Sequence, residues 1–209
     1  MGLWHDSVNF ASNADLLAFL GELESLGPYD GGTFGRKSAV PVPEIIIQVP
    51  TWLLVAAGTA TALVAKRVVD KVADQLATDI AQDMHRLYMF LTRAPAALLR
   101  HAIPKDRPAT CIYYVATDPW VEFVVTSSRP ETFVEAIDLA KLKGLVEEAG
   151  NLKDVLGASE VQYRYSDTGT WALNYFLTQD GSVIGTQAAI DAGNKRLELM
   201  LKESAGDLH

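Results

Sequence analysis

IIIQVPTWLLVAAGTATALVA, residues 45–65, is 21 residues without a charge, bounded by Glu44 and Lys66, and it runs directly into the charged amphipathic stretch KRVVDKVADQLATDIAQDMHRL. A run of this length either crosses a bilayer or forms the buried spine of a globular fold. Two features favour the spine. Pro50 removes a backbone donor and costs about 3 kcal/mol inside a helix, so it reads as a boundary between two elements. Splitting there leaves a short strand, 45–49, and a helical part, 51–65, only about 22 Å long at 1.5 Å per residue, which is too short to span. Lengthening that helix would bring Lys66, Arg67 and then Asp70 toward lipid.

The same segment has a thin surface. Ala56, Ala57, Gly58, Ala60 and Ala62 with Thr59 and Thr61 let another backbone approach closely, in water or in lipid. Trp52, Val55, Gly58, Thr59 and Ala62 are therefore the candidate interaction residues, facing a partner protein or a second copy of the chain.

Composition narrows the function classes. The chain has 209 residues, 49% hydrophobic and 21% charged, enough for one sizeable core or two small ones. A net charge of −8 argues against general nucleic-acid binding, which needs a positive field. Residues 1–65 carry 2 basic against 6 acidic side chains, 66–107 carry 8 against 5, and 108–209 carry 8 against 15. The middle is the basic part, and Arg86, Arg93 and Arg100 recur there every seven residues. Pro95 is expected to interrupt their helix, so they read as a solvated face. Cys111, the one cysteine, lies in the apolar run TCIYYVAT and reads as structural. No positively charged start followed by an apolar run opens the chain, so the expected location is cytoplasmic, with membrane association through 45–65 as the alternative.

Patterning divides the chain into three parts: a strand–helix–loop segment over 1–44, a strand and long helical segment over 45–107, and a sheet domain over 108–209. In the first, 8–10 reads as a strand, Ser12 or Asn13 as the cap of a helix through DLLAFLGELESL, and GPYDGGTFGRKSAVPVP as a loop. GGTFGRKS imitates a phosphate loop, but Arg36 separates Gly35 from Lys37, so no nucleotide site is expected. In the second, Val68, Val69, Val72, Leu76, Ile80, Met84, Leu87 and Leu91 extend one apolar stripe along a long helix. In the third, CIYYVAT, WVEFVVTS, EVQYRYS, WALNYFLT and SVIG read as strands. A helix from Pro130 through FVEAIDLAKLKGLVEEAG lies between the second and third of them, and TQAAIDAGNKRLELMLKE forms a last helix. The predicted fold class is α+β: a long central helix plus an antiparallel β-β-α-β-β-β-α sheet with helices on one face.

The order of these elements, with IIIQVPTWLLVAAGTATALV at its centre, is similar over residues 6–150 to small constant components encoded beside effectors in bacterial conflict systems. That resemblance implies a non-catalytic adaptor and names no site residue.

Chemistry is sparsely marked. His5, His85, His101 and His209 stand far apart, and Asp70, Asp74, Asp79 and Asp83 are scattered around a helix rather than converging on a metal. No GxSxG, HExxH, CxxC, GxGxxG or paired-carboxylate signature occurs. An enzyme of unidentified type would draw on Glu122, Arg164 and Asn174, polar positions that alternate with apolar ones in the sheet. Nine of the eighteen aromatics fall in that sheet: Tyr113, Tyr114, Trp120, Phe123, Tyr163, Tyr165, Trp171, Tyr175 and Phe176. Cross-strand core pairs are their first reading and a partner surface the second. The expectation is a non-catalytic protein-binding or self-assembling module with no cofactor.

Overall fold

The computed structural model describes residues 1–33, 43–55, 71–103 and 107–185, with backbone alone at 71–80. Among these, eight strands form one mixed sheet: β1 (Gly2–His5), β2 (Asp30–Thr33), β3 (Glu44–Gln48), β4 (Ala109–Val115), β5 (Trp120–Ser127), β6 (Ala158–Tyr165), β7 (Trp171–Thr178) and β8 (Val183–Gly185). Their order is β2-β1-β3-β4-β5-β6-β7-β8, so the three stretches of sequence contribute to a single sheet. The described helices are α1 (Asn13–Leu26), α2 (Lys71–His101), α3 (Pro130–Ala136) and α4 (Leu139–Leu156).

The α+β class holds, but the sheet is not antiparallel. β1–β2, β3–β4 and β5–β6 pair in parallel, whereas β1–β3, β4–β5, β6–β7 and β7–β8 are antiparallel. The reason is connectivity. Each parallel pair is joined by a helical crossover (α1, α2, or α3 with α4) that returns the chain to the same end of the sheet, while a hairpin reverses direction. The connections at 115–120, 165–171 and 178–183 are hairpins joining the antiparallel pairs β4–β5, β6–β7 and β7–β8.

Alternation sorts the strands into two faces. Leu3 and His5 of β1, Ile45 and Ile47 of β3, Cys111, Tyr113 and Val115 of β4, and Val121, Phe123 and Val125 of β5 are buried. They share one core with Phe19 and Leu23 of α1, Leu91, Ala94, Ala97 and Leu98 of α2, Phe133 of α3 and Leu142 of α4, His5 lying against it through Phe10 and Phe19. Farther along the sheet Phe123 stacks on Tyr163 at 5.7 Å, Trp171 meets Phe123 edge-on at 5.3 Å, and the Trp171 indole N–H donates to the Ala136 carbonyl at 3.2 Å.

Several local expectations shift. The strand expected at 8–10 lies earlier, at Gly2–His5, and Ser7–Asn9 is a turn of 3₁₀ helix whose Asp6 cap accepts from the Val8 amide. Ser12 does cap α1, accepting from Asp15 N–H at 3.2 Å. Part of the Gly/Pro stretch is β2. The helix expected from Pro130 onward is two, because Asp138 accepts from the amides of Ala140 and Lys141 and starts a new one. Gly157, at φ 70°, ends α4 in the left-handed region that glycine enters without strain. The closing helix predicted at 186–203 lies outside the described residues.

Pro95 does not interrupt its helix. α2 runs unbroken through it for 31 residues, about 46 Å, and Pro95 is buried. A helical proline withholds the N–H that the carbonyl four residues back would accept, here Leu91. Tyr113 of β4 supplies the replacement: its hydroxyl donates to the Leu91 carbonyl at 2.9 Å in the core. One residue further on, Thr92 Oγ1 donates to the Tyr88 carbonyl at 2.9 Å, a side-chain bond back into the preceding turn. At the end of α2, Arg100 and His101 both meet the Glu22 carboxylate of α1, His101 Nε2 at 3.0 Å. Partial burial raises the Glu22 carboxyl pKa, but the bonds and charges of Arg100 and His101 outweigh it and hold the group below the usual carboxylate range.

Removing the Tyr113 hydroxyl (Tyr113→Phe) leaves a buried carbonyl without its donor and is expected to lower unfolding free energy by about 1–3 kcal/mol in denaturant titration. With Pro95→Ala, which restores an amide N–H, the same change is expected to cost about 1 kcal/mol less; strictly additive effects would show that Tyr113 does not compensate for the proline. Because the Glu22 pKa is depressed on folding, its contribution is present above the unfolded carboxylate pKa and is lost as pH falls through the folded value. Glu22→Gln is expected to cost about 0.5–1 kcal/mol at neutral pH and to flatten the acid limb of the stability curve; an unchanged acid limb would show that the clasp contributes nothing.

Candidate interaction surface

Pro50 separates strand from helix as its chemistry requires. β3 ends at Gln48, Val49 N–H donates to the Tyr114 carbonyl at 2.8 Å, and a helical turn occupies 51–55 with Leu53 N–H bonded to the Pro50 carbonyl at 3.0 Å. The turn has two sides. Leu53 and Leu54 are buried in the core, whereas Trp52 is 45% exposed and Val55 58% exposed. Of the five residues predicted to face a partner, Trp52 and Val55 are thus on the surface, and Gly58, Thr59 and Ala62 lie outside the described residues.

Trp52 sits at a cleft of about 240 Å³ whose apolar lining includes Met1, Leu26, Leu87 and Phe90. Asp83 and Arg86 form its charged rim and pair with each other at 3.6 Å. Phe90 is held from behind by Tyr29, ring centroids 5.8 Å apart. Along α2 the side chains change character at this point. Ala81, Gln82, Asp83, His85 and Arg86 are exposed, whereas Phe90, Leu91, Thr92, Ala94 and Pro95 are buried. The exposed indole thus stands beside an apolar hollow with an arginine at its edge. The two outer arginines of the seven-residue series each meet a carboxylate, Arg86 at Asp83 and Arg100 at Glu22, while Arg93 is exposed.

The residues offered for chemistry are only partly assembled. On the sheet face away from the core, Gln162 donates to Glu122 Oε2 at 2.8 Å, Asn174 donates to Gln162 Oε1 at 2.7 Å, and the Tyr175 hydroxyl donates to Glu160 Oε1 at 2.9 Å. Glu122 and Asn174 thus belong to one chain of polar contacts that ties β5, β6 and β7 together. Arg164 stands apart, beside Thr126, Ser166 and Asp167. The Cys111 thiol is buried, and burial pushes its pKa well up, which disfavours the nucleophilic thiolate. His5 is buried, His85 is exposed, His101 is bonded to Glu22, and His209 lies outside the described residues. Among the described residues no group of three His, Cys, Asp or Glu side chains could hold a metal. Gly31, Gly32 and Thr33 of the motif that imitates a phosphate loop are in β2, and the rest of it is outside the described residues.

Residues 45–48, which open the uncharged run, are committed to β3 between β1 and β4. Among the described residues no helix is long and apolar enough to cross a membrane. His5 and the Glu22 clasp are what sequence patterning missed; the alternation of Leu3 and His5 across Trp4 is the signal for the first. No family model, curated protein or solved structure matches the chain.

If Trp52 serves a partner rather than the core, its removal is nearly silent for folding. Trp52→Ala is expected to change stability by less than about 1 kcal/mol, against about 2–5 kcal/mol for the adjacent, fully buried Leu53→Ala. Equal losses in denaturant unfolding would return Trp52 to a structural role.

Proposed function

We propose that the chain is a non-catalytic protein-binding module that self-assembles through the helical surface beginning at Trp52 and the adjoining α2. The observation that carries this is the indole of Trp52, 45% exposed at the mouth of an apolar cleft. Two further features support it. In the sequence of α2 the apolar spacing Val72, Leu76, Ile80 precedes the part that joins the core, a pattern suited to a second helix. The small residues that follow Val55 in the sequence suit close helix approach.

Light scattering of the full chain tests the reading. The wild type is expected to have the mass of an oligomer, and Trp52→Ala and Gly58→Leu, with circular dichroism spectra like the wild type's, to shift toward the monomer. A wild type that stays monomeric across concentration, or variants that are folded and unchanged in mass, would overturn it.

A further inference from the structure

On the other side of the α1–β2 connection from Trp52 lies a second, larger cleft of about 460 Å³, in the range of small-molecule sites. Its lining includes His5, Leu20, Glu24, Tyr29, Gly31 and Thr33. His5 is only 5% exposed, held between Phe10 and Phe19 with each ring edge-on at 5.9 Å, and its Nδ1 has no hydrogen-bond partner among the described residues. An unpaired buried nitrogen is destabilising, a cost that a phenylalanine packed on the same two rings would not incur. Burial lowers the His5 pKa against the opposing pull of the Asp6 backbone and charge, which keeps the ring neutral and able to accept a hydrogen bond. A half-turn about the Cβ–Cγ bond exchanges its sealed edge with the opposite one without changing its shape.

The described lining of the cleft has one charge sign. Glu24 is its carboxylate; burial first, and the Glu24 charge second, raise the Tyr29 phenol pKa, so Tyr29 stays a neutral hydroxyl. Among the described residues no lysine or arginine lines the cleft. Gly31 leaves the wall as bare backbone: a Cβ there would fall 2.6 Å from the Tyr29 ring and 3.1 Å from the Leu3 carbonyl oxygen. A carboxylate or phosphate entering would meet Glu24 with no cation in that lining to offset it.

We infer that this cleft binds a small organic cation with N–H donors, a primary ammonium or guanidinium group, with Glu24 opposing its charge and the imidazole of His5 and the hydroxyls of Tyr29 and Thr33 accepting its hydrogen bonds. The site is separate from the surface around Trp52 and stands or falls independently of it.

Nuclear magnetic resonance titration of the full chain with n-butylammonium and with guanidinium tests it, reading the His5 ring and the Tyr29 resonances. Saturable shifts are expected in both, weakened about tenfold or more by Glu24→Gln, a change at an exposed position that leaves the fold intact. Tetramethylammonium, which has the charge without the donors, is expected to bind more weakly. Absence of saturable shifts, equal affinity in Glu24→Gln, equal affinity for tetramethylammonium, or the same shifts with acetate would each overturn the inference.

Discussion

A buried proline inside the last third of a long helix sets the terms for this fold. Pro95 cannot donate to the Leu91 carbonyl, and that carbonyl lies in the core, out of reach of water. The Tyr113 hydroxyl satisfies it from the sheet, so α2 and β4 are joined by a specific polar bond as well as by apolar contact. With that bond in place the helix continues to Arg100 and His101, where Glu22 of α1 receives it. The helical layer is therefore pinned at two points, one to the sheet and one to its neighbour.

The sheet follows from three crossovers and the hairpins between them. β1–α1–β2, β3 to β4 through α2, and β5 to β6 through α3 and α4 each return the chain in parallel, and the hairpins after β4, β6 and β7 reverse it. The described helices bury their apolar residues in one core with Ile45, Tyr113 and Phe123. The opposite face carries Glu122, Gln162, Asn174 and Tyr175, whose mutual hydrogen bonds hold strands in register. The two clefts lie instead around the α1–β2 connection, where Gly27 and Pro28 line both. Between them the molecule presents an apolar hollow with an exposed indole on one side and a polar, acidic hollow on the other.

Much of this was legible in local chemistry. Pro50 between two apolar runs marks a change of element because the proline ring fixes φ and lacks a donor, and the strand and helix do part there. Ser12 as a helix cap and Cys111 as a structural residue were readable for equally local reasons. β2 was not: DGGT has none of the aromatic or aliphatic branched residues of a strand and pairs because β1 lies beside it. The split at Asp138 was missed because its apolar spacing continues across the break. Of the predicted interaction residues, Trp52 and Val55 stand on the surface; for His5 the alternation with Leu3 marks the inward face, while the rings that enclose it, Phe10 and Phe19, are brought there by the tertiary fold.

Composition and spacing alone determined that the chain is α+β, that the uncharged run is divided at Pro50, and which residues alternate inward, because these depend on the period of a helix or strand and on one residue's covalent geometry. The tertiary structure decided the direction in which strands pair, the continuity of α2 through Pro95 and the meeting of Glu22 with Arg100 and His101. Each of those depends on a partner far away in the chain, 22 residues for Tyr113 and Leu91 and 78 for Glu22 and Arg100, and no local pattern records which distant group will satisfy a carbonyl or a charge.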